Sequence, residues 1–151
     1  MKRIQAIEAF ARVVERQLET ARKAFEASHS NITSAESKQE GKYDTRGLEE
    51  SYLANGLAQK LSDVEEVVAF LETASLQEAG DVVHVGSLVK GRQNNELVYY
   101  FVAPTGGGIE ANVSGDEVVM VTPESPLGSQ LLDKKAGEST VAPQLYIQEV
   151  F

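Results

Sequence analysis

Apolar residues recur at alternating steps of three and four in two separate stretches of this chain. The spacing is that of a coiled-coil seam, so each stretch predicts a long amphipathic helix, the first over residues 2–28. Two seams in one short chain favour an antiparallel helical hairpin, with pairing of each helix to another chain as the alternative. The paired length is roughly 30 Å at about 1.5 Å per residue, so we expect the hairpin to project. The seam residues are Ile4, Ile7, Ala11, Val14, Leu18, Ala21 and Phe25, then Ala54, Leu57, Leu61, Val64, Val68 and Leu71.

After residue 80 the helical spacing gives way to short runs rich in β-branched and aromatic residues, which predict strands. Residues 91–95 are expected to form the first hairpin turn, and glycines 106–108 a flexible turn, since no Gly-Lys-Ser/Thr and no helix follow them. The predicted fold class is α+β. An antiparallel coiled-coil hairpin (residues 1–76, with a polar tip near 28–51) precedes an antiparallel sheet domain (80–151) with one short helix. The predicted strands are 82–85, 97–102, 109–113, 118–121 and 145–150.

The short helix is predicted from the segment TPESPLGSQLLDKKAGE, residues 122–138. Ser125 can cap the helix, and Pro126 then takes the first helical position, where its missing N–H costs nothing. Lys134 and Lys135 are expected in the last turn, where cations suit the helix dipole. Gly137 is expected to stop the helix.

Composition and charge exclude several classes of protein. The 151 residues include no cysteine, so disulfides and thiolate metal sites are ruled out. The formal net charge of −9 disfavours independent, tight binding to nucleic acid, because attraction to phosphates dominates that affinity. The two histidines, His29 and His84, fall in different modules, which argues against a histidine metal cluster or a Ser-His-Asp triad. No apolar run approaches the roughly 18–20 residues of a membrane helix, so we expect a cytoplasmic protein with no membrane partner.

The segment 122–138 is similar to the serine-proline segment of the Gre transcription elongation factors, in which a related turn, helix, Lys-Lys pair and Gly-acidic step recur. The helical hairpin followed by a strand-rich part extends the resemblance over nearly the whole chain. The resemblance implies an FKBP-like C-terminal domain that docks at the rim of the secondary channel of bacterial RNA polymerase, with the hairpin entering that channel. It also implies that Glu124, Ser125, Pro126 and Leu127 form the docking edge.

Carboxylates at the hairpin tip are the candidate functional groups of the arm. In Gre factors that stimulate RNA cleavage, an aspartate and a glutamate three residues apart help to hold Mg²⁺ in the polymerase active centre. An ungapped register puts Asp44 at the glutamate position and Gly41 at the aspartate position, so the pair is not intact. Glu40, one residue from Gly41, could substitute for the missing aspartate, and Glu49 or Glu50 could do so in a different register. We therefore expect weak or no cleavage stimulation, no cofactor beyond a shared Mg²⁺, and any contact with that ion through Asp44.

The resemblance implies an accessory factor, not an enzyme, that modulates transcription elongation and meets nucleic acid only indirectly, through the polymerase. We expect a monomer, because the two seams pair most simply within one chain. Within the family, the alternative is a non-cleaving competitor that occupies the secondary channel. Outside the family, the alternatives are a coiled-coil interaction protein with other partners and a stand-alone FKBP-like prolyl isomerase. The fold alone does not imply isomerase activity, and no source of an aromatic-lined pocket is evident in the sequence.

Overall fold

The computed structural model describes the backbone of residues 1–38 and 46–151 and the side chains of residues 1–29 and 53–151. Two long helices, α1 (Arg3–Lys38) and α2 (Arg46–Ser75), precede a five-stranded sheet, and the α+β class is confirmed. Among the described residues, no helix is long and apolar enough to cross a membrane. The remaining elements are β1 (Leu88–Gln93), β2 (Glu96–Val102), β3 (Glu110–Val113), β4 (Asp116–Val121), α3 (Pro126–Leu131) and β5 (Tyr146–Val150).

Helices α1 and α2 pack against each other as an antiparallel hairpin. Ile4 shares a groove with Ser75, whereas Gln17 shares a cleft with Lys60, so the two helices run in opposite directions. The seam is only part of the buried surface. Ile4, at the start of the predicted seam, is 43% exposed. A second stripe, made by Ala6, Ala9 and Phe10 on α1 and by Val67 and Ala74 on α2, is buried against the sheet.

The sheet has the order β3-β4-β2-β1-β5 and is mixed, because β2 and β4 pair in parallel. The loop 103–109 carries the chain from β2 past the position of β4 to the edge strand β3. A two-residue turn at Ser114 and Gly115, both with positive φ, then returns the chain between β3 and β2. The expectation of a wholly antiparallel sheet is corrected at this pair, since short-range patterning does not show that β4 inserts between its two predecessors.

Two predicted features at the start of the sheet are wrong. Residues 82–85 form no strand and make only a single bridge, between Val82 and Lys135. Residues 88–93 are strand β1, so the hairpin turn is limited to Asn94 and Asn95, which both have positive φ. Gly91 is part of the strand, where a Cβ would lie 2.7 Å from Leu145 Cδ1. This glycine allows a close approach of β5 and does not mark a turn.

Alternate residues of the strands face two separate cores. On one face, Phe101 of β2 lies with its ring centroid 5.5 Å from that of Phe10 and 6.2 Å from that of Phe70, so the hairpin covers this face. On the other face, Val102 packs in a cluster with Leu131 of α3. Burial on both faces explains why β2 is a continuous apolar run without polar alternation.

Arg3 fastens the base of the hairpin to the segment that leads into the sheet. Its guanidinium donates hydrogen bonds to the carbonyls of Ala74 (2.7 Å), Gln77 (3.0 Å) and Gly86. Two of these carbonyls lie at or just beyond the C-terminus of α2, where a cation is favoured by the helix dipole. Burial lowers the pKa of Arg3. α2 ends at Ser75, and the division of the chain into two domains at residues 76–80 stays a prediction.

Candidate interaction site

The turn before α3 is held by a compact set of hydrogen bonds around Ser125. Its Oγ accepts from the Gly128 N–H at 3.0 Å and donates to the Thr122 carbonyl at 2.7 Å. Its backbone N–H donates to the same carbonyl at 3.0 Å. Ser125 is therefore the N-cap, and Pro126 occupies the first turn, as the sequence predicted.

Glycine is the only residue type that fits at position 128 of this turn. A Cβ at this position would lie 1.9 Å from the Thr122 carbonyl oxygen and 2.8 Å from Ser125 Oγ. The Ser-Pro-Leu-Gly order therefore describes one interlocked structure, in which the serine caps the helix and the glycine makes room for the carbonyl that orients the serine. The role of this glycine is visible only in the folded chain.

The predicted end of α3 is wrong. The helix ends at Leu131, so Lys134 and Lys135 lie beyond it and not in its last turn. Asp133, with a positive φ of 65°, turns the chain away, and its N–H donates to the Val83 carbonyl at 2.9 Å. Val83 N–H in turn donates to the Lys134 carbonyl at 2.8 Å. Backbone pairing with this distant segment ends the helix one turn earlier than the local signals indicate.

The four docking candidates differ in what they offer to a partner. Glu124 and Pro126 are exposed, and Ser125 is half-buried with its hydroxyl engaged in the turn. Leu127 is 9% exposed and packs into the core between α3 and the sheet, so it anchors the turn. The side chains available for contact are therefore Glu124 and Pro126, and their role in docking stays a prediction.

Gln130, which the sequence did not single out, joins α3 to the loop at residues 141–142. Its Oε1 accepts from the N–H groups of Val141 (2.8 Å) and Ala142 (3.2 Å). Its Nε2 donates to the carbonyls of Pro126 (3.1 Å) and Ala142. The partners in the loop lie 11 and 12 residues away in sequence, so no local pattern could have indicated them.

The tip candidates lie outside the part of the chain that the structure describes. Asp44 and Glu40 fall in residues 39–45, whose backbone is not described, and the side chains of Glu49 and Glu50 in α2 are not described either. Among the described residues, no group of three or more histidine or carboxylate side chains could hold a metal ion. The assignment of a Mg²⁺ contact to Asp44 thus stays a prediction.

The glycine loop borders a cleft of about 810 Å³ between the sheet and the two long helices. Gly106 and Gly108 have positive φ, and the Gly108 N–H donates to the Met120 carbonyl at 2.8 Å. The loop leads into β3 and not into a helix, so it lacks the helix N-terminus that binds phosphate in glycine-rich nucleotide loops. These glycines form a turn that lets the chain pass beside the hairpin.

The prolyl isomerase alternative needs exposed aromatic side chains around a pocket. Tyr99 and Phe101 of β2 are instead buried in the core beneath the hairpin. Tyr100, on the other face, donates a hydrogen bond from its hydroxyl to Gln93 Oε1 at 2.9 Å. Burial raises the pKa of this tyrosine. The aromatic residues of β2 therefore serve packing and internal hydrogen bonding.

No protein-family model matches the sequence, and no curated protein matches it. Solved structures similar to this chain include the following two. The structure of the transcription factor Gfh1 shares 15% sequence identity, covers 93% of this chain and 91% of its own, and gives a TM-score of 0.39. The crystal structure of GreA factor homolog 1 (Gfh1) of Thermus thermophilus shares 20% identity, covers 93% and 94%, and gives a TM-score of 0.33. At these TM-scores the likenesses carry no assignment of function.

Proposed function

We propose that this protein is a Gre-like accessory factor that binds bacterial RNA polymerase in the cytoplasm and modulates transcription elongation. The sheet domain docks at the rim of the secondary channel through the turn before α3, and the hairpin enters the channel. The proposal rests on the resemblance of residues 122–138 to the Gre serine-proline segment and on the geometry of that segment in this fold.

The observation that carries the proposal is an exposed acidic-proline turn on a fixed backbone. Glu124 and Pro126 are exposed, while the hydroxyl of Ser125 between them is hydrogen-bonded to the Thr122 carbonyl and the Gly128 N–H. A surface whose backbone is fixed before binding loses little conformational entropy in the complex. A carboxylate beside a proline ring complements a protein surface that offers a cation next to an apolar patch.

Non-cleaving occupation of the channel is the favoured mode of action. The cleaving members of the Gre family use an aspartate and a glutamate three residues apart, and this chain has Gly41 where the aspartate would stand. Mg²⁺ requires oxygen ligands, and a glycine supplies no side-chain oxygen. With Asp44 alone in register, the arm fills the channel without completing the carboxylate pair.

The first experiment measures binding of the full-length protein to bacterial core RNA polymerase by biolayer interferometry. Glu124→Lys is expected to weaken binding by about tenfold or more, because it places like charge against the complementary cation. Glu117→Lys is the matched control: it makes the same charge change at an exposed site near the start of β4, about 13 Å from the end of the strand that leads into the turn, at about 3.3 Å per residue. No binding by the wild type would refute the proposed function, and equal binding by the two variants would refute the docking edge.

The second experiment distinguishes a competitor from a cleavage factor. Halted elongation complexes containing backtracked RNA are incubated with the protein alone, and then with a cleaving Gre factor plus increasing amounts of the protein. We expect little cleavage in the first arm and a dose-dependent loss of Gre-stimulated cleavage in the second. Robust cleavage by the protein alone that Asp44→Asn abolishes would overturn the competitor mode while leaving polymerase binding intact.

A further inference from the structure

One side-chain amide fixes the loop at residues 141–142 against the first turn of α3. Gln130 accepts two backbone N–H groups with Oε1 and donates to two carbonyls with Nε2, so all four of its hydrogen-bonding positions are used. Because the Pro126 carbonyl and the Val141 N–H bind the same amide group, the loop lies directly beside the exposed turn that contains Glu124 and Pro126. The loop and the first turn of α3 are therefore neighbours in the fold.

The loop presents a large apolar side chain to solvent. Val141 is 84% exposed, and among the large apolar residues described only Leu76 is more exposed, at 87%. Single exposed apolar residues are common on protein surfaces and need no explanation by themselves. Here, however, the backbone N–H of Val141 and both polar backbone groups of Ala142 are satisfied by Gln130. The valine therefore stands on an anchored backbone and not on a loose loop.

We propose that Val141 is an apolar anchor of the same docking surface, which inserts into an apolar pocket on RNA polymerase while Glu124 meets a cation at the rim of that pocket. This inference rests on the proposed function, since it extends the docking edge to a residue in a different part of the chain. Gln130 is the positioning residue: it holds the loop in its bound conformation, so that little ordering is needed on binding.

The charge arrangement identifies the kind of pocket. Glu124 is an exposed carboxylate beside Pro126, and Val141 is uncharged, so the surface combines an apolar centre with an acidic margin. A complementary partner site has an apolar centre and a basic margin. An apolar core with a polar rim is the usual arrangement of a protein interface. The protein's net charge of −9 favours approach to such a basic surface.

The test compares two substitutions of exposed apolar residues in binding to bacterial core RNA polymerase. Val141→Ser is expected to weaken binding by about tenfold, as for an apolar side chain buried near the centre of an interface. Leu76→Ser is the control, because Leu76 is equally exposed but lies just beyond α2, outside this surface; its binding should stay within twofold of wild type. Both side chains are free of core contacts, so thermal unfolding should be unchanged for both variants.

A double-mutant cycle tests the positioning role of Gln130. Gln130→Met keeps the length of the side chain and removes its hydrogen bonds, and we expect a three- to tenfold loss of binding. If Gln130 acts through Val141, the double variant Gln130→Met/Val141→Ser binds about as well as Val141→Ser alone. Fully additive losses would overturn the positioning role.

The outcomes separate this inference from the proposed function. If wild type binds and Glu124→Lys weakens binding while Val141→Ser binds within twofold of wild type, the anchor is refuted and the docking edge stands. If wild type does not bind the polymerase, the proposed function fails and the anchor fails with it. A selective tenfold loss for Val141→Ser, with Leu76→Ser unaffected, supports the anchor.

Discussion

The same substitution, glycine to alanine, is expected to have opposite effects at two helical positions of this chain. At Gly56 in α2, an added Cβ meets nothing within 4 Å. At Gly128 in α3, the added Cβ lies 1.9 Å from the carbonyl oxygen of Thr122. The pair separates the intrinsic helix preference of alanine, which acts at both sites, from steric exclusion, which acts at only one.

The magnitudes decide the sign at each site. Alanine is favoured over glycine by about 1 kcal/mol in a helix interior, so Gly56→Ala should stabilise the protein by about 0.5–1 kcal/mol. At Gly128, Cβ atoms are essentially never found within 3.0 Å of another atom, so the carbonyl must retreat by about 1 Å. That movement strains the turn by about 1–3 kcal/mol and disrupts the Ser125 cap, a further cost of about 1 kcal/mol. Subtracting the helix preference of alanine, about 1 kcal/mol, leaves a net destabilisation of about 2 kcal/mol.

The assay is thermal and urea unfolding of the full-length variants. For a chain of this size, 1 kcal/mol corresponds to about 2–4 °C, so Gly128→Ala should lower the Tm by about 6 °C and Gly56→Ala should raise it by about 2 °C. The urea midpoints should move in the same directions with unchanged slope. A Gly128→Ala protein as stable as the wild type would refute the interlocked turn and, with it, the fixed backbone of the docking edge.

Three further predictions concern the frame that carries the site. Arg3→Met should lower the unfolding free energy by about 2 kcal/mol in urea denaturation, and Arg3→Lys should not restore it, because one ammonium cannot match a planar guanidinium at three carbonyls. Phe10→Ala should cost about 3–5 kcal/mol, whereas Ile4→Ala, 43% exposed, should cost under about 1 kcal/mol. Burial raises the pKa of Tyr100, so the contribution of its neutral hydroxyl to the free energy of unfolding is complete below pH 10 and is lost as the pH rises through the folded-state pKa. Tyr100→Phe should flatten that loss in urea midpoints measured from pH 8 to 11.

The hairpin was predictable because its signal is local and repeated. Steps of three and four residues recur through both helices, and Ile7, Val14 and Leu71 of the predicted seam are buried as expected. The stripe containing Phe10 could not be assigned in the same way. Its partner Phe101 lies 91 residues further along the chain, and an aromatic residue beside a seam does not by itself indicate a second buried face.

The strands were likewise predictable only in part. β2 was found because burial on both faces makes it an uninterrupted apolar run. β1 was missed because Lys90, Gly91 and Arg92 together have the composition of a turn. What makes this segment a strand is the approach of Leu145 to Gly91, which only the assembled sheet provides.

The candidate site was half predictable. The cap by Ser125 and the position of Pro126 follow from rules that span four residues, and both are confirmed. The requirement for Gly128, the early end of the helix and the link from Gln130 to the loop at 141–142 depend on contacts with other segments. The start of α3 was therefore predictable from local signals, whereas the contacts from other segments that fix the turn and the loop were not.

α3 and the helical hairpin lie on opposite faces of the sheet. Leu131 of α3 packs on one face and Phe10 of α1 on the other, so a partner seated on the turn before α3 does not cover the base of the arm. Leu18 is the last described residue of α1 that packs with the cluster on this face, and the 20 residues from there to Lys38 span about 30 Å. Arg3 ties the base of this arm to the segment before the sheet, and Phe10 packs on the sheet itself. If the turn docks on a partner as proposed, the direction of the arm is therefore set with it.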